Sequence, residues 1–149
     1  MPRARIKRAI PRLCREERGF TLIELLVTLI IIGLLAAIAI AAFATQQNKA
    51  QDVDAKTHAR AAQTAMETIY LDQKSYAGVT TANLEAHQPS LQNANGLTIL
   101  TGTANEFEVS TTSNSSAPVT FKVHRLPSGT IDRTCTPHNT GGCKADGTW

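Results

Sequence analysis

The feature that most constrains this chain is an apolar run from Phe20 to Phe43 that carries a single carboxylate, Glu24. Only Thr21, Glu24 and Thr28 bring strongly hydrogen-bonding side chains into these 24 residues. Because a helix rises ~1.5 Å per residue, a run of this length can cross the ~30 Å hydrocarbon core of a bilayer. The run therefore predicts a transmembrane helix with one charged residue near its start.

Charges are distributed unevenly on the two sides of this run. Residues 1–19 contain seven basic and two acidic residues, whereas residues 20–149 contain eight basic and ten acidic residues. Basic segments beside a span tend to stay in the cytoplasm, so we expect a cytoplasmic N-terminus and export of everything after Phe43. The high pI reflects the first segment, and no basic stripe with interleaved aromatic residues suggests direct binding of nucleic acid.

Residues 1–19 have the character of a targeting segment, since Pro2 and Pro11 interrupt them and no helical or alternating pattern is present. An ordinary secretory signal places its apolar region before the cleavage site, but here Gly19 precedes the apolar run. The sequence from Gly19 to Glu24 is GFTLIE, and a long aliphatic helix follows it. This order resembles the class III signal of type IV prepilins and pseudopilins.

The resemblance implies that a prepilin peptidase cleaves between Gly19 and Phe20 and methylates the new amino group of Phe20. It also implies an assembly role for Glu24. A carboxylate at mid-membrane is unfavourable by ~2.5–3.5 kcal/mol, so Glu24 should pair with the amino group of Phe20 on its own chain or on a neighbour. We expect Glu24→Ala to leave insertion and cleavage intact and to reduce filaments greatly. The alternative interpretation is a snorkelling carboxylate in an ordinary signal anchor.

One departure from the family pattern concerns the flexibility of this helix. Where most members have a helix-kinking proline, this chain has Ala41, which leaves Gly33 as the weak point.

Residues 44–74 contain neither Gly nor Pro, so the helix is expected to continue out of the membrane to about residue 73, with Tyr76-Ala77-Gly78 ending it. Its apolar residues recur at three- or four-residue steps and predict a stripe that carries a globular domain. The stripe consists of Ala55, Ala59, Ala62, Met66, Ile69 and Tyr70.

Residues 75–149 predict a loop followed by a small sheet. A short helix is expected at residues 81–87, capped by Thr80 or Thr81. Apolar or alternating runs at residues 97–100, 106–110 and 119–124 predict strands, and a fourth strand should include Thr130 and Ile131. Short turns favour an antiparallel meander. The side chains expected to face the helix are Ile99, Phe107, Val109, Val119, Phe121 and Val123.

Of the three cysteines, Cys14 lies on the predicted cytoplasmic side, and Cys135 and Cys143 lie on the exported side. An oxidising compartment favours a disulfide between the latter two. A zinc site built from these cysteines with His124 and His138 is the less favoured alternative, because the spacing matches no established zinc pattern. A disulfide loop after a small sheet also resembles the cysteine-bounded region of type IV pilins.

The predicted fold is α+β: a long N-terminal helix, transmembrane and then amphipathic, packed on an antiparallel sheet of about four strands, with a C-terminal disulfide loop. The chain divides into a cleaved leader (1–19), a transmembrane and assembly helix (20–43), an amphipathic helix half (44–74) and a region of loop, sheet and disulfide loop (75–149).

The resemblance implies a structural subunit, not an enzyme, that polymerises with itself and other pilins into a type IV pilus for adhesion, motility or DNA uptake. It would be a single-pass protein of the inner membrane before an assembly platform moves it into an extracellular filament. We expect no catalytic residues, cofactor or metal. The alternatives are a pseudopilin of a type II secretion system, a minor competence pilin, or a signal-anchored binding domain that never polymerises and keeps its N-terminus uncleaved.

Overall fold

The computed structural model describes residues 19–149, so the predicted leader up to Arg18, including Cys14, lies outside the described residues. The chain forms two compact units, one ending at Ile38 and the other comprising Ala39–Trp149. One helix, α1 (Leu22–Gln73), contributes to both units. The predicted long helix is therefore confirmed, and it runs without a break through Gly33 and Ala41.

The first part of α1 is apolar and exposed around its whole circumference. The exposed fraction is 84% for Leu22 and 70% for Phe43, and the large apolar side chains between them are exposed as well. The most apolar 18-residue stretch of α1 has a mean hydropathy of 3.0, and none of its residues is buried. Within the described part of the chain, α1 alone has the length and composition to cross a membrane.

The second part of α1 buries one stripe against the sheet. Five of the six predicted stripe residues are buried, and Tyr70 is half-buried. Ala65 and Asp52 are buried too, and the stripe pattern did not predict either of them. Because most of these side chains are alanines, the sheet can approach the helix closely.

The end of α1 at Gln73 agrees with the prediction of about residue 73, but the residues that end the helix differ from those expected. The helix stops at Gln73, and Lys74 adopts a left-handed conformation with φ 55° while its N–H donates to the carbonyl of Tyr70 at 2.8 Å. Tyr76 was expected to be part of the terminating turn, but its side chain is completely buried in the core. An aromatic side chain of this size adds more to the core by burial than it could in an exposed turn.

The loop after α1 contains the predicted short helix, α2 (Thr81–His87), which Thr80 caps. The Thr80 hydroxyl accepts the N–H of Asn83, and the Asn83 side chain accepts the N–H of Thr80. A 3₁₀ turn that was not predicted follows at Pro89–Asn93. Buried leucines from these two elements, Leu84 and Leu91, join the core.

Four antiparallel strands form one sheet in the order β1-β2-β3-β4. They are β1 (Thr98–Gly102), β2 (Phe107–Thr112), β3 (Thr120–Arg125) and β4 (Ile131–Thr136). The predicted meander is confirmed, but β4 begins at Ile131, so Thr130 lies outside it, and the strand extends through Cys135 to Thr136.

Alternation along the strands directs one side of the sheet toward α1. Five of the six side chains expected there are completely buried, and Ile99 is half-buried. Thr111 also faces the helix, and its hydroxyl donates to the carbonyl of Ala55 at 2.8 Å in the buried interior. A hydroxyl buried in a core needs such a partner, because leaving it unpaired costs about 1–3 kcal/mol.

Candidate assembly site

The start of α1 brings Gly19, Phe20 and Glu24 together at one helix end. The exposed fraction of Phe20 is 81%, and Gly19 has open space around its α-carbon. Glu24 lies in the first turn of the helix, four residues beyond Phe20. All three are accessible, as a cleavage and assembly site requires.

The carboxylate of Glu24 is held by its own helix. Its Oε2 accepts hydrogen bonds from the N–H of Thr21 at 3.0 Å and from the Thr21 hydroxyl at 2.9 Å. In return, the Glu24 N–H donates to the Thr21 hydroxyl oxygen at 3.2 Å. This is a capping box, in which two backbone N–H groups without a helical partner are satisfied by two side chains three residues apart.

Thr21 is thus a part of the candidate site that was not predicted from the sequence. Its signal was visible, since a Thr followed three residues later by Glu just before an apolar run is the sequence pattern of a capping box. The third polar side chain of the run is also satisfied locally, because the Thr28 hydroxyl donates to the carbonyl of Leu25 at 2.8 Å. All three polar side chains in the apolar run therefore have partners within α1.

One oxygen of the Glu24 carboxylate remains available. Both accepted hydrogen bonds reach Oε2, and no described residue donates to Oε1. A carboxylate can accept about four hydrogen bonds, so Glu24 can keep its cap and still accept an ammonium group.

The predicted disulfide between Cys135 and Cys143 is confirmed, and it lies in the unit Ala39–Trp149. Both thiols of the alternative zinc site are consumed by this bond. In the described part of the chain, no group of three or more His, Cys, Asp or Glu side chains is arranged to hold a metal ion.

The loop closed by this disulfide (residues 135–143) is docked on α1 by two side chains one helical turn apart. Oδ2 of Asp52 accepts the N–H of Gly142 at 2.8 Å, and Nζ of Lys56 donates to the carbonyl of Gly142 at 2.7 Å. Gly141 has φ 52°, and a Cβ there would collide with Oδ2 of Asp52. The two glycines let the loop backbone approach α1 closely enough to use both helix side chains.

Trp149 holds the residues after the loop against the same unit. Its indole N–H donates to the carbonyl of Lys122 at 3.2 Å, and its ring meets Phe121 edge-on with centroids 5.6 Å apart. Thr148 pairs with Thr134 as an isolated antiparallel bridge. These contacts were not predicted from the sequence, because a single indole and two threonines give no periodic pattern.

Comparison with known proteins yields one family and two relatives. Residues 14–40 match the family described as the prokaryotic N-terminal methylation motif. The chain is 41% identical over 73 residues to the type IV major pilin protein PilA of Myxococcus xanthus, an alignment that covers 49% of this chain and 31% of the relative. It is 40% identical over 74 residues to the type IV major fimbrial protein FimA of Dichelobacter nodosus, with 47% of each chain covered.

These alignments extend over about a third to about half of the length of the curated relatives. They agree with the rest of the molecule, in which an apolar helix with an N-terminal methylation motif continues into a four-stranded antiparallel sheet with a C-terminal disulfide. The chain is therefore similar to type IV pilins over about half of its length, and its residues 14–40 match the N-terminal methylation motif.

Proposed function

We propose that this chain is a structural subunit of a type IV pilus, and that it polymerises through α1 after cleavage between Gly19 and Phe20. The observation that carries the proposal is the pairing of an exposed apolar helix with one locally capped carboxylate, Glu24, at its start. Two relatives are a type IV major pilin and a type IV major fimbrial protein by name, which favours a filament subunit over a secretion pseudopilin.

The exposed apolar surface of α1 needs cover in every state of the protein. Lipid supplies it before assembly, and the equivalent helices of other copies supply it in a filament. The exchange needs no catalytic group in this chain, so the role is structural. The expected partners are other pilins, the prepilin peptidase and the inner-membrane assembly platform, and the N-terminus is expected on the cytoplasmic side.

Glu24 gives this assembly its register. Cleavage before Phe20 creates an amino group, and Oε1 of Glu24 on an incoming copy can accept from that group on a copy already in place. Pairing two opposite charges in an apolar surrounding stabilises both, because neither is solvated by water there. The capping box fixes the carboxylate while this contact forms.

Two substitutions separate the charge of Glu24 from its cap. Glu24→Gln keeps the capping box, since Gln serves at this position as well as Glu, but removes the charge. Losing one partner of a buried charge pair costs about 2 kcal/mol or more, so the yield of sheared surface filaments should fall more than tenfold. Thr21→Ala removes the cap but keeps the charge and should hold the yield within about threefold of wild type, because capping contributes only about 1 kcal/mol.

The same preparations test the processing step by mass spectrometry of the N-terminus. We expect methylated Phe20 as the first residue in wild type and in both variants. An intact Met1 in wild type would overturn the proposed function in favour of a signal-anchored domain. Normal filament yield from Glu24→Gln, with Phe20 processed, would remove Glu24 from the assembly contact.

A further inference from the structure

We infer that successive copies of this chain also contact each other through two oppositely charged surfaces of the unit Ala39–Trp149. This inference rests on the proposed polymerisation and adds a contact outside the apolar helix. The cationic surface consists of Lys56, Arg60, Arg133 and Lys144 around Trp149. The acidic surface consists of Glu106, Glu108 and Asp132 on the outer side of the sheet.

Three cations of the cationic surface converge on one half-buried indole. Nζ of Lys56 lies 6.0 Å from the Trp149 ring centroid, Cζ of Arg60 lies 5.3 Å away, and Cζ of Arg133 lies 5.8 Å away. Because all three groups lie close to the same ring, they also lie close to one another. Burial is the main reason that the pKa of Lys56 is lowered; the charge of Asp52 opposes this, and the charges of Arg60 and Lys144 add to it.

Carboxylates of the same chain do not neutralise this cluster. Asp52 and Asp146 are the acidic groups beside it, which leaves four cations against two anions. Oδ2 of Asp52 is already used by the backbone of Gly142. Within residues 19–149, none of the four cations forms an ion pair. Arg60 and Lys144 are exposed, so these two can accept carboxylates of another copy as partners.

The acidic surface has more carboxylates than cationic side chains. Antiparallel register places His124 directly between Glu108 on β2 and Asp132 on β4. Glu106 lies 2.8 Å from Nε2 of His124, and Glu108 lies 3.4 Å from Nζ of Lys122. Three carboxylates thus face one lysine and one histidine, and Asp132 is exposed with no ion-pair partner among the described side chains.

The two surfaces lie on opposite sides of the sheet. Arg133 points toward α1, where its Nη2 donates to Oε1 of Gln63 at 3.1 Å, and Lys56 and Arg60 belong to α1 itself. Asp132, the neighbour of Arg133 on β4, points to the other side by strand alternation. A contact between unlike surfaces is heterologous, so each added copy leaves one surface of each kind free and the assembly stays open. That is the symmetry a filament requires.

Charge reversal tests this contact in the full chain. Arg60→Glu with Lys144→Glu, or Asp132→Lys with Glu106→Lys, places like charges in contact and should reduce the yield of sheared filaments about tenfold or more. Combining all four substitutions restores opposite charges and should return the yield to within about threefold of wild type. Lys74→Glu, an exposed charge reversal outside both surfaces, is the matched control and should leave the yield unchanged.

Folding and processing are followed in the same variants, by thermal unfolding in detergent and by mass spectrometry of the N-terminus. A second measurement does not depend on charge reversal: cysteines at Arg60 and Asp132 should form disulfide-linked ladders in filaments, whereas cysteines at Arg60 and Ala86 should not. Failure of the fourfold variant to recover, in a folded and processed protein without the Arg60–Asp132 ladder, would overturn this contact. So would wild-type yield from both reversed pairs.

The outcome is distinguishable from failure of the proposed function. If wild type forms no filament or keeps Met1, the function is wrong. If filaments form normally while Arg60→Glu with Lys144→Glu abolishes retention of the protein on immobilised polyphosphate, the cationic surface binds an external polyanion, and the contact between copies is wrong.

Discussion

Glu24 caps its own helix and, in the proposed assembly, also pairs with a second copy of the chain. Its position was predictable, because a carboxylate in an apolar run is conspicuous. The expected partner was the positive amino group of Phe20, whereas Thr21 was not predicted as a partner although it stands at capping-box spacing. In the structure the first partners are an N–H and a hydroxyl of Thr21 on the same helix.

Asp52 is a residue whose role sequence reasoning could not reach. An aspartate in a polar stretch of helix normally faces water, but this side chain is buried, with an exposed fraction of 2%. Its partner is the backbone of Gly142, which lies 90 residues away in sequence. No periodic pattern connects a helix residue with a distant glycine, and only the tertiary structure shows the contact.

Tyr76 gives a prediction for alkaline pH. Its ring is completely buried, and its hydroxyl donates to Oε2 of Glu67 at 2.9 Å. Burial, the hydrogen bond and the charge of Glu67 all raise the pKa of Tyr76 in the folded state, burial most strongly. The stabilisation is therefore complete below the unfolded-state pKa of about 10 and is lost as the pH rises above it, because the unfolded chain then releases the phenol proton.

Urea unfolding of wild type and Tyr76→Phe between pH 8 and pH 11.5 measures this effect. The free energy of unfolding of wild type should decline above about pH 10 by up to about 1.4 kcal/mol per pH unit more than that of Tyr76→Phe. All other ionisable groups are the same in the two proteins, so their contributions cancel in the comparison. Parallel declines of the two proteins would contradict the assignment.

Among the elements, α1 and its end near residue 73 were predictable, whereas the turn that ends it was not. The absence of Gly and Pro, with apolar residues at three- or four-residue steps, identified the helix and its buried stripe. The end at Gln73 has no glycine signal, because Lys74 itself takes the left-handed conformation. Only part of the following loop was predictable. Thr80 marked the start of α2, but the 3₁₀ turn after α2 had no periodic signal.

Docking of the disulfide loop on α1 is an element-scale contact that can be broken by one substitution. Asp52→Ala removes the acceptor of the Gly142 N–H and should lower the free energy of unfolding by about 1–3 kcal/mol. Hydrogen exchange at the Gly142 amide should speed up, while the β3–β4 ladder stays protected, since its own bonds are unchanged.

The matched control for this prediction is Asp54→Ala, two residues along the same helix but exposed. It should change the free energy of unfolding by less than about 0.5 kcal/mol. Both proteins are measured as the full chain in detergent. Equal effects of the two substitutions, or an unchanged Gly142 exchange rate in Asp52→Ala, would show that the loop is held by the disulfide and Trp149 without Asp52.

At the scale of the whole molecule, local patterns fixed most of the architecture. Alternating strands and short turns indicated a meander, and all its neighbours in sequence are neighbours in the sheet. The residues that close the unit at its C-terminal end were missed, because Trp149 and Thr148 act through contacts with β3 and β4 rather than through a repeat. Prediction from one sequence is strongest where partners are near in sequence.

The distribution of buried residues predicts that the unit Ala39–Trp149 needs no apolar helix for its own core. Every buried residue of the described chain lies at or beyond Asp52. A chain that begins at Thr45 should therefore be soluble and monomeric, unfold cooperatively and form the Cys135–Cys143 disulfide. Size-exclusion chromatography and thermal unfolding in detergent-free buffer check this. Aggregation, or a broad non-cooperative transition with the disulfide intact, would contradict it.

The capping box at the start of α1 also affects whether a subunit that leaves the filament can return intact to the membrane. In the proposed assembly, a copy that leaves its neighbours loses the ammonium partner of Glu24, but the bonds from Thr21 remain. The departing helix therefore re-enters lipid without a bare charge. The lost ammonium still favours the filament at this contact, but the bonds from Thr21 keep the carboxylate from being left without any hydrogen-bond partner. Subunits released in this way are intact building material, and the membrane can act as a reservoir from which the same molecules are used again.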